Sequence, residues 1–309
     1  VGGVLPRLEA LELSGLAAGV DGSSITATGR RLASIADLGD RGVSLLRVDW
    51  NDPETINEAI HEGDRVLMVS GSELDRREAQ HGTIIRRAQD VGVELLAYTS
   101  IIRASDSRLP VAPHHAACEE EIARTGLRSA ILRNGWYSEN YLSQIVTAAT
   151  VGSVVTSAGE GRVSSATRAD YAAAAARVLI DPPATSRIYE LAPAPGWTFE
   201  HLAAVASQIL GRDISLLELT PEEHWTALVE SGAKGPLADI HRHVFRQRAF
   251  DEGGIEGVAR FLVGIDADVR DGYLASTSRD LQELIGREPT TLVDALREPV
   301  LDALSRQNP

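Results

Sequence analysis

A chain of 309 residues that is 43% hydrophobic has enough material for one full α/β domain and a smaller lobe, each around an ample core. Its 44 acidic against 30 basic residues, net charge −14, exclude a broad phosphate-backbone interface, so nucleic acid is not an expected partner. A single cysteine, Cys118, excludes an internal disulfide and a multi-thiolate metal site and fits a reducing cytoplasm, and no apolar run of about 18 residues or basic-then-apolar leader points to a membrane.

The chain opens Val1-Gly2-Gly3 and its only methionine is Met68, so the sequence is expected to be a fragment whose first strand precedes Val1. Val4, Leu5, Leu8, Leu11 and Leu16 fall at helical spacing, with Gly19 as a stop. A helix opened by glycines normally follows a buried strand and a turn that cradles phosphate; two glycines alone suit a plain flexible start equally well. Ser24 to Thr28 is a short β-branched run that ends in Gly29-Arg30-Arg31. In dinucleotide folds the second strand stops beside the adenosine ribose, where an acid selects a free hydroxyl and an arginine takes a 2′-phosphate. Arg30 offers a planar fork of donors to such a dianion, which favours NADPH over NADH; an exposed arginine pair at a strand end is the plain alternative.

Strand and helix then alternate. Strands are expected over Ser44–Val48, Arg65–Val69, Glu94–Thr99 and Arg128–Leu132, with helices over Pro53–Glu62, Arg76–Val91 and Pro113–Thr125 between them. That order predicts a doubly wound parallel sheet of the Rossmann kind. Three strands run into polar groups, Asp49-Trp50, Ser70-Gly71-Ser72 and Tyr98-Thr99-Ser100, on the edge where a nucleotide would lie. The fifth ends in Leu132 to Tyr141, reading LRNGWYSENY, and this stretch is the expected substrate mouth. Asp170–Leu179, with Ala172 to Ala176, reads as a helix whose small face lets neighbouring backbone approach closely. After a strand over Ile188–Leu191, Pro193-Ala194-Pro195-Gly196 marks the passage from a dinucleotide-binding domain, residues 1–192, to a smaller α+β lobe, residues 193–309. That lobe is expected to hold helices over Thr198–Leu210, Pro221–Ser231, Arg279–Ile285 and Thr291–Leu304, a strand over Ile214–Leu219, and an irregular stretch from Gly235 to Gly272.

The residues narrow the chemistry. No Gly-x-Ser-x-Gly elbow is present to expose a nucleophilic serine. His115 and Cys118 would be neighbours on a helix, but a lone cysteine is more often a small buried apolar residue than a nucleophile. His241 and His243 lack the partners and spacing of a metal site, and no metal is expected. Lys234 is the only lysine, and no tyrosine precedes it by four positions, so the tyrosine–lysine proton donor of many reductases is excluded. In its place stand His115 and Glu119, which at i, i+4 share a helix face; either the carboxylate holds the imidazole protonated as an acid, or the two form a surface ion pair.

Leu132–Leu142 (LRNGWYSENYL), Ser165–Val178 (SATRADYAAAAARV), Ala97–Ser100 (AYTS), Gln80-His81 and Ile285–Leu292 (IGREPTTL) together resemble the type 2 NAD(P)H:quinone oxidoreductase and triphenylmethane reductase group, atypical short-chain dehydrogenase/reductases of NmrA-like architecture. The resemblance covers nearly the whole chain. It implies a Rossmann domain with a small C-terminal lobe, NADPH as cofactor and hydride transfer to a quinone or similar conjugated acceptor, and it leaves room for a homodimer. By position, Gly2 resembles the last glycine of the phosphate loop, Arg30 the 2′-phosphate arginine, and Asp49-Trp50 the pair at the adenine. Ser70, Gly71 and Ser72 follow the strand beside the nicotinamide-side ribose, and Ser100 ends the next. His115 stands where the family replaces the tyrosine. Asn134, Trp136, Tyr137 and Asn140 match the substrate-side loop, with His115, Tyr137 and Asn134 as the expected donors. A rival reading from the same resemblance is a non-catalytic NADP(H)-binding redox sensor.

Overall fold

The computed structural model describes residues 19–71, 73–109, 111–232 and 254–307. Gly2, Ser72, His241, His243 and the helix expected before Gly19 lie outside them.

Two parallel sheets carry the dinucleotide-domain pattern. In the first, β1 (Thr26–Gly29) pairs with β2 (Ser44–Arg47), the short helix α1 (Ala36–Gly39) lying between them in the chain. Asp52 then caps α2 (Pro53–Asn57), whose Pro53 sits in the first turn, where its missing N–H costs nothing. The second sheet has the order β3 (Arg65–Met68), β4 (Leu95–Ile101), β5 (Ser129–Asn134) and β9 (Arg187–Leu191), all parallel. The helices α3 (Arg77–Val91) and α4 (Ala112–Thr125) make the crossovers. Gly92 ends α3 at φ 71°, a left-handed cap that a side chain would strain.

Strand alternation divides the core. On β4, Leu96 and Tyr98 face α3 and α4, packing with Ile84, Ile85, Cys118 and Ile122. Leu95 and Ala97 face the opposite way, against α6 (Arg168–Ile180) with Ala174, Ala175 and Val178. A strand covered on both faces is apolar where both are covered, which is why β4 opens on the continuous buried run Leu95 to Tyr98 before its polar Thr99-Ser100 end.

The expected smaller lobe shares its core with residues before position 193. Its core takes Ile101 from the end of β4 and Ile102 and Leu109 from the β4–α4 connection. It also takes Ile145 and Val146 from α5 (Leu142–Val151), and its small sheet pairs β7 (Ser153–Thr156) with β10 (Ser215–Glu218). The remaining partners are α7 (Phe199–Leu210), α8 (Pro221–Gly232), α9 (Gly254–Arg270) and α11 (Leu292–Gln307). Conversely α10 (Asp280–Ile285) returns to the first domain, where Leu281 packs against α6 and β9. Residues 254–270 correct the expectation of an irregular stretch: they form α9, because burial of Ala259, Ile265 and Val269 outweighs three glycines. A two-stranded parallel ladder, β6 (Trp136–Tyr137) with β8 (Ser165–Ala166), ties the substrate-side loop to the entrance of α6.

Candidate active site

The strand ends meet along one rim. Arg30, one residue past β1, ion-pairs with Glu73, beyond the end of β3, at 2.9 Å. Trp50, past β2, lies over Gly71, where an added Cβ would come within 3.0 Å of its ring. The Gly71 peptide is gripped twice from α3. Its N–H donates to His81 Nε2 at 3.1 Å, and its carbonyl accepts from Arg77 Nε at 2.8 Å and from the second Arg77 arm. Burial first, and the Arg77 charge second, push His81 down to about 3 from the ordinary 6.5, so the ring is neutral. Since Nε2 accepts, its proton sits on Nδ1, 3.5 Å from Cys118 Sγ. Burial raises the Cys118 thiol to about 12, which makes it a packed, protonated group and leaves no thiolate for nucleophilic chemistry.

Asp49 is anchored by Asn51, whose backbone N–H and side-chain amide both donate to it at 3.0 Å, and the backbone bond is the main reason its carboxyl titrates below the usual range. Ser70 N–H donates to Thr99 Oγ1 at 2.8 Å across the ends of β3 and β4.

Between these ends and α6 lies a shallow, open cleft. Leu67, Val69, Ala172 and Ala175 form its apolar wall, and Thr99, Asn134, Tyr137 and Arg168 its polar one. Asn134 is 6% exposed; its Nδ2 is 3.4 Å from Tyr137 Oη, and its Oδ1 is buried with no partner. The Tyr137 ring is sandwiched, with Arg168 4.5 Å over it and Tyr171 edge-on at 5.5 Å. Gly135 permits the turn that presents these groups, since a Cβ there would fall 2.9 Å from both Ser164 O and Tyr171 Oη.

The expected residues separate into two sets. Asn134 and Tyr137 line the cleft. Asn140 stands behind it, accepting from Arg168 at 3.1 Å, and Trp136 packs toward the second lobe's core. Ser100 points away: its neighbour Thr99 takes the cleft side, and strand alternation turns Ser100 to donate to Glu119. His115 and Glu119, the expected pair, each have a partner on the neighbouring strands. His115, 5% exposed, meets Tyr98 Oη through Nδ1 at 2.8 Å, while Glu119 is bound by Arg133 at 2.6 Å, and Arg133 also holds Glu190 at 2.8 Å. A shared face is therefore not a shared partner, because the strand beneath offers each side chain something better.

Thr99 was expected only as part of a polar strand end, and Arg168 and Tyr171 are cleft residues that did not stand out from the sequence. The available signal was the family motif containing Arg168 and Tyr171 and the two-residue alternation along β4. The clamps of Arg77 and His81 on Gly71 were likewise unforeseen, since nothing local to α3 marks the peptide it grips.

A rim of clamped strand ends beside a cleft lined by both apolar and hydrogen-bonding side chains is the arrangement of a nucleotide-binding α/β protein. A family model described as NAD(P)H-binding matches residues 13–182, and the chain belongs to that family. Quinone oxidoreductase 2 of Escherichia coli (strain K12) is 34% identical over 277 residues, 90% of this chain and 90% of that protein. The crystal structure of the NADPH-dependent quinone oxidoreductase of E. coli complexed with NADPH covers 98% of each chain with TM-score 0.81 and 32% identity. That of Citrobacter sp. triphenylmethane reductase complexed with NADP(H) covers 96% of this chain and 97% of its own, with TM-score 0.81 and 29% identity. The chain is thus an oxidoreductase with a Rossmann-like fold, similar to both relatives. Among the described residues no helix is long and apolar enough to cross a membrane.

Proposed function

We propose that the protein is an NADPH-dependent reductase that delivers hydride to a quinone or similar conjugated acceptor. The observation that carries this reading is the Asn134–Tyr137 pair on the polar wall, one atom of which is a buried oxygen without a partner. Such an atom is costly unless a ligand meets it or the amide turns over. With Asn134 rotated by half a turn, Tyr137 would donate to its oxygen and the NH₂ group would face the cleft as a donor.

The residues fit the dinucleotide at both ends of the rim. Arg30 offers charge-assisted donors to a 2′-phosphate. Gly71, where an added Cβ would press on the Trp50 ring, offers a ribose bare backbone that Arg77 and His81 hold still. When bound, the nicotinamide supplies the hydride. The chain's own part is to orient and to stabilise charge: Leu67, Val69, Ala172 and Ala175 bury the flat faces of the ligands, and the two N–H donors of Asn134, its amide held by Tyr137, are directed at an acceptor oxygen. Because charge arriving on a quinone spreads over its ring, these donors suffice without a tyrosine–lysine dyad. His115 acts from behind the sheet as a positioning residue, through Tyr98.

Similarity to E. coli quinone oxidoreductase 2 and to a structure in complex with NADPH supports both cofactor and acceptor. The test follows nicotinamide absorbance with NADPH and a simple benzoquinone or naphthoquinone. Quinone-dependent oxidation of NADPH is expected; tight NADPH binding without turnover of any quinone or dye would overturn the reading in favour of a redox sensor.

A further inference from the structure

Building on the reading of Arg30 as the 2′-phosphate arginine, we propose that Glu73 determines cofactor preference. It is a resident carboxylate that holds Arg30 and that the 2′-phosphate must displace. The two groups meet at 2.9 Å, and with side-chain exposures of 62% for Arg30 and 34% for Glu73 the pair sits open on the rim, where a ligand can reach it. Glu73 is tethered from the other side, since Gln80 Nε2 donates to its second oxygen at 3.2 Å and also to Asn51 Oδ1 at 3.2 Å. Asn51 in turn fixes Asp49, whose carboxylate also feels the Arg30 charge. Arg30 therefore stands between two acids that are each held in place, and Gln80 links the loops that carry them.

The consequence is selective. A cofactor with a free 2′-hydroxyl brings no charge to Arg30 and leaves the pair closed. A 2′-phosphate dianion out-competes a single carboxylate, but only the difference between the two interactions appears as affinity. Glu73 thus lowers affinity for the phosphorylated cofactor and narrows the protein's preference between the two.

Calorimetric titration with adenosine 2′,5′-bisphosphate and with adenosine 5′-monophosphate, which differ by the 2′-phosphate alone, reads that preference without turnover. Glu73→Gln is expected to raise the preference for the bisphosphate about two- to fivefold, the scale of one exposed ion pair, with the gain shrinking in high salt. The same substitution in an Arg30→Ala background is expected to change nothing. If Glu73→Gln left the preference at its parent value while Arg30→Ala abolished it, the role of Glu73 would be overturned and that of Arg30 would stand. If Arg30→Ala kept the full preference, both would fall. Weaker binding of both nucleotides by Glu73→Gln would make Glu73 a ribose ligand and overturn the proposal.

Discussion

His81 shows what a single residue contributes to this site. It is fully buried, neutral, and committed at both nitrogens, accepting from Gly71 and facing Cys118 with its proton. Its folded value, about 3, lies below the ordinary 6.5, so at intermediate pH only the unfolded chain takes up that proton. The stability that goes with a neutral His81 is complete above about 6.5 and is lost as pH falls toward 3. From about pH 7 to about pH 5 this one group is expected to remove about 2 kcal/mol. Urea denaturation of the parent and of His81→Gln at the two pH values checks it: the parent should lose that much more than the variant, and equal losses would show that the ring charges inside the fold. In the sequence His81 stands out only as part of a motif, because its partners arrive from the end of β3 and from α4 and no spacing within α3 announces them. Asn134 and Tyr137 were legible for the opposite reason, since a strand that stops in an Asn-Gly turn presents its last side chains whatever surrounds it.

At the scale of elements, two polar knots hold the lobes in register. Asp170, fully buried in the first turn of α6, accepts from Thr167, from the Thr290 backbone at 2.9 Å and from Arg287 at 2.6 Å. It thereby joins two motifs far apart in sequence, SATRADY and IGREPTT, and fixes the helix that carries Arg168 into the cleft. Asp170→Ala leaves those donors unmatched and is expected to cost about 3 kcal/mol, read as a lower urea midpoint, whereas Arg287→Ala, with its partly exposed guanidinium, should cost less. Equal, small losses from both would mean that the clamp does not hold α6. In the second lobe Asp266 of α9 binds Thr156 Oγ1, Ser157 N–H and His224. Ser157 Oγ and Asp266 Oδ2 both lie 3.1 Å from His224 Nδ1, on the same ring nitrogen, so this Ser-His-Asp trio braces β7, α8 and α9 and forms no relay through the imidazole. The elements that the sequence concealed cluster here. Glycines at 254, 257 and 264 and the buried acids Asp266 and Asp268 disguise α9, and the β-branched run Ile145-Val146-Thr147 does not read as helix although it forms α5. Their helicity is imposed by burial. The long helices and the four-stranded sheet of the first domain were legible within a few residues, because a cap such as Thr167 and punctuation such as Gly92 are written locally, whereas α1, β6 and β8 were not expected and α2 stops at Asn57, short of Glu62.

The whole molecule turns on direction. Parallel strands put every carboxyl end on one edge, so Arg30, Trp50, Gly71, Thr99 and Asn134, spread over a hundred residues of chain, come to a single rim. Alternation along each strand then decides which side chains face α6 and the cleft and which, like Ser100 and Arg133, are spent on the ion-pair network with Glu119. Both rules operate from sequence alone. What they leave open is pairing across elements, which explains why the positions of Arg30 and Asn134 at strand ends were legible and the Glu73 and Arg77 contacts were not. The central claim is that one rim holds the dinucleotide at the Arg30 end and the acceptor at the Asn134 end. Steady-state kinetics of Arg30→Ala and Asn134→Ala with NADPH and a naphthoquinone test it most directly. The account predicts that the first raises KM for NADPH about tenfold with little change for the quinone, and that the second raises KM for the quinone on the same scale with little change for NADPH, each by removal of a ligand hydrogen bond. Parent-like constants in both variants, or the two effects exchanged, would contradict it.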